Sequence, residues 1–420
     1  MQTKALRLYG KKDLRLETFD LPEMKDDEIL AKVISDSICM STYKASLQGN
    51  EHKRVPKDID VNPTIVGHEF SGEIIEVGEK WKKLYKPGHR FTVQPNMNYM
   101  GKGYAPGYSF KYYGGDSMYI VIPKEVMEGG FMLEYKGDAF FKASLAEPMS
   151  CIVAAFHASY HTVFGKYVHN MGIVEGGKMA MLAAVGPMGM GAIDYAIHCD
   201  RRPSLLVITD IDDSRLKRAE SVFNEQVAKE SGVDIRFVNT RDIEKPDEYL
   251  RNLAGGNGFD DVFVFAPVKP VVELGGKLLG QDGCLNFFAG PTNKEFSGEF
   301  NFYNVHYLST HVVGTSGGNT DDMIESLDMM SCGKINPAVM ITHVGGLNAA
   351  AQTTLNLPNI PGGKKLIYTH VNLELTAIDD FEAKGKTDPL FAGLDEIVKR
   401  NNGFWCGEAE NYLLAHAPQL

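Results

Sequence analysis

The sequence predicts an α/β protein: a β-rich part, then a doubly wound parallel sheet, then a return to the first part. Two textures predict it. Residues 1 to about 125 carry short apolar runs between Gly, Pro and Asp clusters, the pattern of strands and turns. From Lys178 onward strand-like runs alternate with helical ones, which implies right-handed βαβ units around a parallel sheet. A chain of 420 residues is long enough for about two domains.

In the first part, residues 14–19, 28–34, 72–77, 90–94 and 117–122 read as strands, and helical patterns are scarce. Residues 143–170 become Ala-rich and helical. Residues 178–185 form a buried-strand run, followed by a Gly turn and a small-residue helix over 190–198. Further strands are expected at 205–209, 261–265, 284–288 and 311–314, with helices at 214–223, 270–279 and 320–332. After Pro337 the texture is mixed again. The expected domains are therefore 1–170, an inserted 171–336, and a return over 337–420 that ends in a tail with a helical pattern at 390–400.

Composition narrows the function classes. With 43 basic and 54 acidic residues the net charge is −11, which argues against a nucleic-acid surface. The longest apolar run, residues 179–193, is too short and Gly-rich to span a bilayer, and the N-terminus lacks an apolar signal core. Six cysteines with no CxxC pair do not form a disulfide framework. A cytoplasmic protein without membrane or nucleic-acid partners is expected. Cys151, Cys199, Cys284, Cys332 and Cys406 read as small buried hydrophobes. His157, His161, His306 and His343 share no ligand spacing and read as structural.

The run Ala184-Val-Gly186-Pro187-Met188-Gly189 matches a dinucleotide fingerprint except at its first glycine. Gly186 would let backbone approach a pyrophosphate, and Gly189 would let helix and strand pack closely. The following helix start offers free N–H groups to phosphate. Asp210 ends the next strand, 21 residues beyond Gly189. A carboxylate there accepts from ribose hydroxyls and repels a 2′-phosphate, which favours NAD(H) over NADP(H). Its bland alternative is a turn or cap residue. Arg215 lies close enough to bear on that choice, as do Lys217 and Arg218, although a solvated helix face explains all three.

A second motif is Gly67-His68-Glu69-Phe-Ser-Gly72, continuing to Gly78. Cys39 follows a strand-like run, and Glu147-Pro148 opens a helical stretch. Cysteine, histidine and carboxylate together suit Zn²⁺ with one open position. In the order Cys39, Gly67-His68-Glu69, Glu147-Pro148, Ala184-x-Gly186-x-x-Gly189, the chain resembles the zinc-dependent medium-chain dehydrogenases over about residues 1–370. Its N-terminal run KALRLYGKKDLRLETFDLPEMKDDEIL and residues 62–70 are similar to the L-sorbose-1-phosphate reductases of the polyol dehydrogenase branch.

The resemblance implies a GroES-like β-rich catalytic domain plus a Rossmann NAD(P)-binding domain. It implies that Cys39 and His68 ligate zinc, that Glu147 stands where polyol dehydrogenases carry a glutamate, and that Glu69 is a ligand or lies just behind one. Ser41 matches the family's proton-relay hydroxyl. Thr42 stands where an aspartate is common, and Lys44 where a histidine is common; Lys44 would finish the proton path or pair with an anionic substrate. The segment 94–116 lacks the cysteines of a structural zinc and is rich in tyrosine: Tyr99, Tyr104, Tyr108, Tyr112 and Tyr113. One catalytic zinc and no structural zinc are therefore expected. The implied reaction is hydride transfer between nicotinamide and the carbonyl of a phosphorylated sugar, with L-sorbose 1-phosphate giving D-glucitol 6-phosphate. Lys44, Lys53, Arg54 and Lys57 form a candidate basic cluster for the phosphate. Residues 311–332 resemble the family's subunit-pairing edge, so a homodimer or homotetramer is expected.

Overall fold

The computed structural model describes residues 1–163 and 165–420. It divides into two compact units. The first comprises Met1–Pro148, Asn319–Gly333 and Ile341–Leu420, and the second Met149–Gly318 and Lys334–Met340.

The first unit is built on an eight-stranded sheet. Its main path runs Thr376–Ala377, Ile341–Gly346, Lys364–Tyr368, Ile29–Ile38, Phe70–Val77, Arg90–Val93, Met132–Glu134, and Tyr119–Ile122 also pairs with Ile29–Ile38. Ile29–Ile38 is central because its apolar residues Ile29, Ala31 and Val33 are fully buried. They join Phe70, Ile74, Phe91 and Tyr113 in one core cluster. A three-stranded sheet, in the order Asp13–Asp20, Gln2–Gly10, Thr64–Ile65, completes the β-rich part.

The register of the sheet places the chemistry. Ile29–Ile38 pairs antiparallel with Phe70–Val77, with Asp36 opposite Phe70. It also pairs antiparallel with Lys364–Tyr368, with Ile38 opposite Lys365. Cys39 at the end of one strand, Glu69 before the next and Lys364 at the start of a third therefore meet at one end of these inner strands.

In the second unit six parallel strands lie in the order Asp234–Asn239, Leu205–Asp210, Lys178–Leu182, Phe259–Val264, Leu279–Phe287, His311–Val313. Strand order reverses beside Lys178–Leu182, the position at which such sheets bind nucleotides. Ala180, Leu182, Val207, Val262, Val264 and Leu285 form the centre of its core.

Several boundaries differ from the sequence reading. The first unit ends at Pro148 rather than near 170. The helix Thr320–Ser331 belongs to the first unit: Ser326 Oγ donates to the Ala146 carbonyl, and Gln94 Nε2 donates to the Asn319 carbonyl. The strand expected over 178–185 stops at Leu182, because Ala183 adopts a left-handed φ of 54°. Helix Met40–Gln48 and strand Asp234–Asn239 have no counterpart in that reading. Cys332 is exposed, and Cys151 and Cys406 half-buried, rather than buried. Among the described residues no helix is long and apolar enough to cross a membrane.

Candidate active site

Cys39 leaves the central strand in an extended conformation and precedes helix Met40–Gln48, whose first turn carries Ser41 and Thr42. Ser41 Oγ donates to Cys39 Sγ at 3.0 Å and lies 3.1 Å from His68 Nε2. His68 Nδ1 lies 3.2 Å from Thr42 Oγ1 and 3.3 Å from the Tyr108 hydroxyl. Two neutral hydroxyls thus face the far side of this imidazole, where a carboxylate was the common arrangement. If Nε2 serves a metal, Nδ1 carries the proton and donates to them.

Gly67 is required by its surroundings. Its φ is 89°, and a Cβ there would sit 1.9 Å from Asp36 Oδ2. Asp36 Oδ1 accepts from the Ser37 and Glu69 N–H groups at 2.7 and 3.1 Å, which fixes the turn that presents His68 and Glu69. Asp36 and Asp116 are both fully buried, and beyond each other's carboxyl Asp36 Oδ2 and both Asp116 oxygens meet no donor. Burial and mutual repulsion hold the Asp36 carboxyl well above its ordinary range, and burial brings Asp116 up to about 7.

Glu69 is buried and bonded by Lys364 Nζ through both oxygens, at 2.5 and 2.6 Å. Burial would raise its carboxyl, but the Lys364 ammonium outweighs burial and the group titrates below its ordinary range. Burial pushes the Cys39 thiol up to about 12, with the Glu69 charge adding to it. His68 is pushed down to about 4 by burial; the Lys364 and Arg54 charges add to the shift and Glu69 opposes it.

Cys39, His68 and Glu69 each offer a ligand atom, and these atoms lie within 4.8 Å of one another. Thiolate, imidazole and carboxylate are the donor set of a zinc centre, and a divalent cation is the group that offsets a buried thiolate. Glu147, in the first turn of Ala146–Ala158, lies outside that group of three, but its charge acts on Cys39, Tyr108 and Lys364. Lys44 lies on the helix of Ser41. Of the tyrosines in 94–116, Tyr108 reaches the site, whereas Tyr113 packs in the core against Phe70 and Phe110. Lys364, Asp36 and Tyr108 are the site residues that sequence reasoning did not assign. The local signals among them were a lone aspartate inside the apolar strand VISDSI and the tyrosine-rich run 94–116 that holds Tyr108.

In the second unit Gly189 is needed by the fold: a Cβ would lie 1.9 Å from the Ala184 carbonyl oxygen. Gly186 is different, because its φ is −79° and a Cβ there would meet nothing within 4 Å. Neither backbone nor neighbours require that glycine, so its open space suits the close approach of a ligand. Pro187 and Met188 form the first turn of helix Pro187–His198, with Pro187 at its favoured first position. Asp210 Oδ1 accepts from the Ile211 and Asp212 N–H groups at 2.8 and 3.0 Å, so one of its oxygens organises the turn. Asp212 caps the next helix. Arg215 is exposed, and its nearest acid is Asp212 at 3.8 Å. His161 is structural: its ring bonds Asp261 Oδ1 and the Asp282 carbonyl.

Residues 25–129 match the model of the alcohol dehydrogenase GroES-like domain, and residues 187–331 that of the zinc-binding dehydrogenases. The chain is 54% identical over 413 residues to mannitol-1-phosphate 5-dehydrogenase of Aliivibrio fischeri, covering 98% of this chain and 97% of the relative. It is 48% identical over 418 residues to L-sorbose 1-phosphate reductase of Klebsiella pneumoniae, covering 100% and 98%. Among solved structures, 2R,3R-butanediol dehydrogenase of Bacillus subtilis shares the fold with a TM-score of 0.69 at 20% identity, over 87% of this chain and 99% of that one. By these matches and by its site, the chain belongs to the zinc-binding medium-chain dehydrogenases, in their polyol dehydrogenase branch.

Proposed function

We propose that the protein interconverts a ketose phosphate and its hexitol phosphate with zinc and a nicotinamide cofactor, and that L-sorbose 1-phosphate to D-glucitol 6-phosphate is its reaction. The convergence of Cys39, His68 and Glu69 within 4.8 Å of one another carries the reading. The two relatives named for sugar phosphates support the substrate class. The 54% relative supports a second reading within that class, oxidation of D-mannitol 1-phosphate.

When bound, zinc supplies a Lewis acid to the substrate oxygen and the nicotinamide supplies the hydride. Cys39, His68 and a carboxylate from Glu69 or Glu147 would hold the metal. A carboxylate oxygen has two acceptor positions, so Glu69 can ligate while still accepting from Lys364. Thr42 and Tyr108 hold the His68 ring in one orientation. In the reducing direction the carbonyl carbon gains hydride and its oxygen gains a proton, and Ser41 Oγ is the hydroxyl that delivers it.

In the second unit the start of helix Pro187–His198 receives the pyrophosphate, with Gly186 giving it room. Asp210 accepts from the ribose, so NAD(H) is the preferred cofactor and NADP(H) the weaker one. Arg215 flanks that position. The exposed edge strand His311–Val313, with Phe302, Tyr303 and Tyr307 exposed nearby in sequence, suits a homo-oligomeric contact. Among the described residues no disulfide is formed, which suits the reducing cytoplasm.

Initial rates with L-sorbose 1-phosphate, D-fructose 6-phosphate and the free ketoses, using NADH and NADPH before and after chelation, test the reading. Reduction of a ketose phosphate by NADH, lost on chelation and restored by zinc, is expected. Preference for the free ketoses would overturn it.

A further inference from the structure

A phosphorylated substrate needs a cation beside the metal site, and two of the candidate lysines are committed elsewhere. Lys364 is held by Glu69. Lys57 Nζ donates to the Asn50 carbonyl, and Lys53 is exposed.

Arg54 is placed differently. Its backbone N–H donates to His52 Nδ1 at 3.3 Å, and its carbonyl accepts from Ser109 Oγ at 2.9 Å. Ser109 Oγ in turn accepts the Ala105 N–H, in the segment that carries Tyr108. The Tyr108 ring stacks on His52 with centroids 5.3 Å apart and lies 5.1 Å from the His68 ring. Arg54 is thereby fixed in register with a candidate metal ligand through one buried aromatic layer. Its charge acts on His52, His68 and Tyr108 alike.

The guanidinium is half-buried, and its recorded partner is neutral: the NH2 nitrogen donates to Asn96 Oδ1 at 3.1 Å. Asn96 is itself fixed, its N–H donating to Gln94 Oε1. Among the described residues Arg54 makes no ion pair, in a chain with 54 acidic side chains. A guanidinium with most donors uncommitted is matched to the oxygens of a phosphate monoester, which it binds by paired charge-assisted hydrogen bonds.

We infer that Arg54 reads the phosphate of the substrate and sets the preference for phosphorylated over free polyols, an assignment that rests on the function proposed above. Asn96 holds the guanidinium ready, and the reacting carbon, which in L-sorbose 1-phosphate is bonded to the phosphate-bearing carbon, faces Ser41 and the metal ligands. The residue determines specificity and takes no part in the proton or hydride steps.

The test compares wild type with Arg54→Ala and Arg54→Lys on D-glucitol 6-phosphate, D-mannitol 1-phosphate and the two free hexitols, with inorganic phosphate as inhibitor. In Arg54→Ala the ratio of kcat/KM for phosphorylated over free hexitol falls roughly 10- to 100-fold, the size of a lost charge-assisted contact. The loss lies in KM, Arg54→Lys recovers part of it, and competitive inhibition by phosphate weakens in parallel. An unchanged ratio in both variants, with wild type still preferring the phosphate esters, overturns the role of Arg54 and leaves the proposed function standing. A wild type that does not prefer the esters overturns the proposed function itself. If Arg54→Ala does not fold, the Lys variant, which keeps charge but loses the planar fork, decides by the same ratio.

Discussion

Lys364 Nζ lies 2.5 and 2.6 Å from the two carboxylate oxygens of Glu69, a residue 295 positions away in the chain. Both side chains are buried, so each charge depends on the other. Lys364→Ala leaves the Glu69 carboxylate uncompensated and is expected to cost about 3–5 kcal/mol, read from urea unfolding. Lys364→Arg keeps most of the stability. A loss under about 1 kcal/mol in the Ala variant would mean that the pair is solvated.

Removal of a metal ligand separates binding from folding. Cys39→Ala and His68→Ala are expected to purify with substoichiometric zinc by elemental analysis and to lose nearly all activity. Tyr108→Phe combined with Thr42→Val removes both hydroxyls facing His68 Nδ1 and is expected to weaken metal affinity roughly 10- to 100-fold. Full zinc retention against a competing chelator would show that the ring needs neither hydroxyl.

Asp210 offers the carboxylate expected to repel a 2′-phosphate. Asp210→Ser should raise the ratio of kcat/KM for NADPH over NADH by about tenfold or more, since a like charge beside a phosphate costs on the order of a kcal/mol or more. Steady-state rates with both cofactors measure it. An unchanged ratio would assign Asp210 to the turn alone.

Asp36 and Asp116 face each other with three oxygens that no donor outside the pair reaches. Asp116→Asn brings an amide donor at nearly constant shape. It is expected to raise stability at pH 8 by about 1 kcal/mol, one buried hydrogen bond. Thermal unfolding decides it, and a lower Tm would show that the carboxyl pair is better satisfied than its neighbours suggest.

Glu410 joins the C-terminal tail to the catalytic sheet. Its carboxylate accepts from the Phe140 and Phe141 N–H groups and from the Tyr368 hydroxyl, which also accepts from Trp405 Nε1. Burial raises its pKa from 4.5 to about 7 despite these donors. The folded state therefore keeps a proton that the unfolded state has already lost. Stability from this group is greatest below the unfolded value and falls by roughly 3 kcal/mol as the pH rises to the folded one. Glu410→Gln removes that dependence, so wild type should lose stability relative to the variant between pH 5 and pH 8. Parallel curves would place the carboxyl at its ordinary pKa.

The parts of the site that were legible in sequence are those with local grammar. Gly67-His68-Glu69 and Gly186-x-x-Gly189 could be read because Gly67 and Gly189 answer a steric need beside the chemistry and Gly186 leaves open space for a ligand. The parallel sheet was legible where strands run apolar, as in KMAML and LLVIT. Asp234–Asn239 was not, because its residues are half-buried or charged at the sheet edge and leave a weak apolar signal. Helix Met40–Gln48 buries only Thr42, Ala45 and Ser46, so it too lacks an apolar stripe.

The sequence by itself determined the donor types, the glycine turns and the order of the two units, since those depend on side-chain chemistry and short-range backbone sterics. Only the tertiary structure decided that Lys364 answers Glu69, that Thr42 and Tyr108 back His68, and that Asp36 fixes the turn beside them. Those partnerships follow from the register of three antiparallel strands and from the cost of leaving a charge or polar group unpaired inside the protein, and neither is expressed in the residues adjacent along the chain.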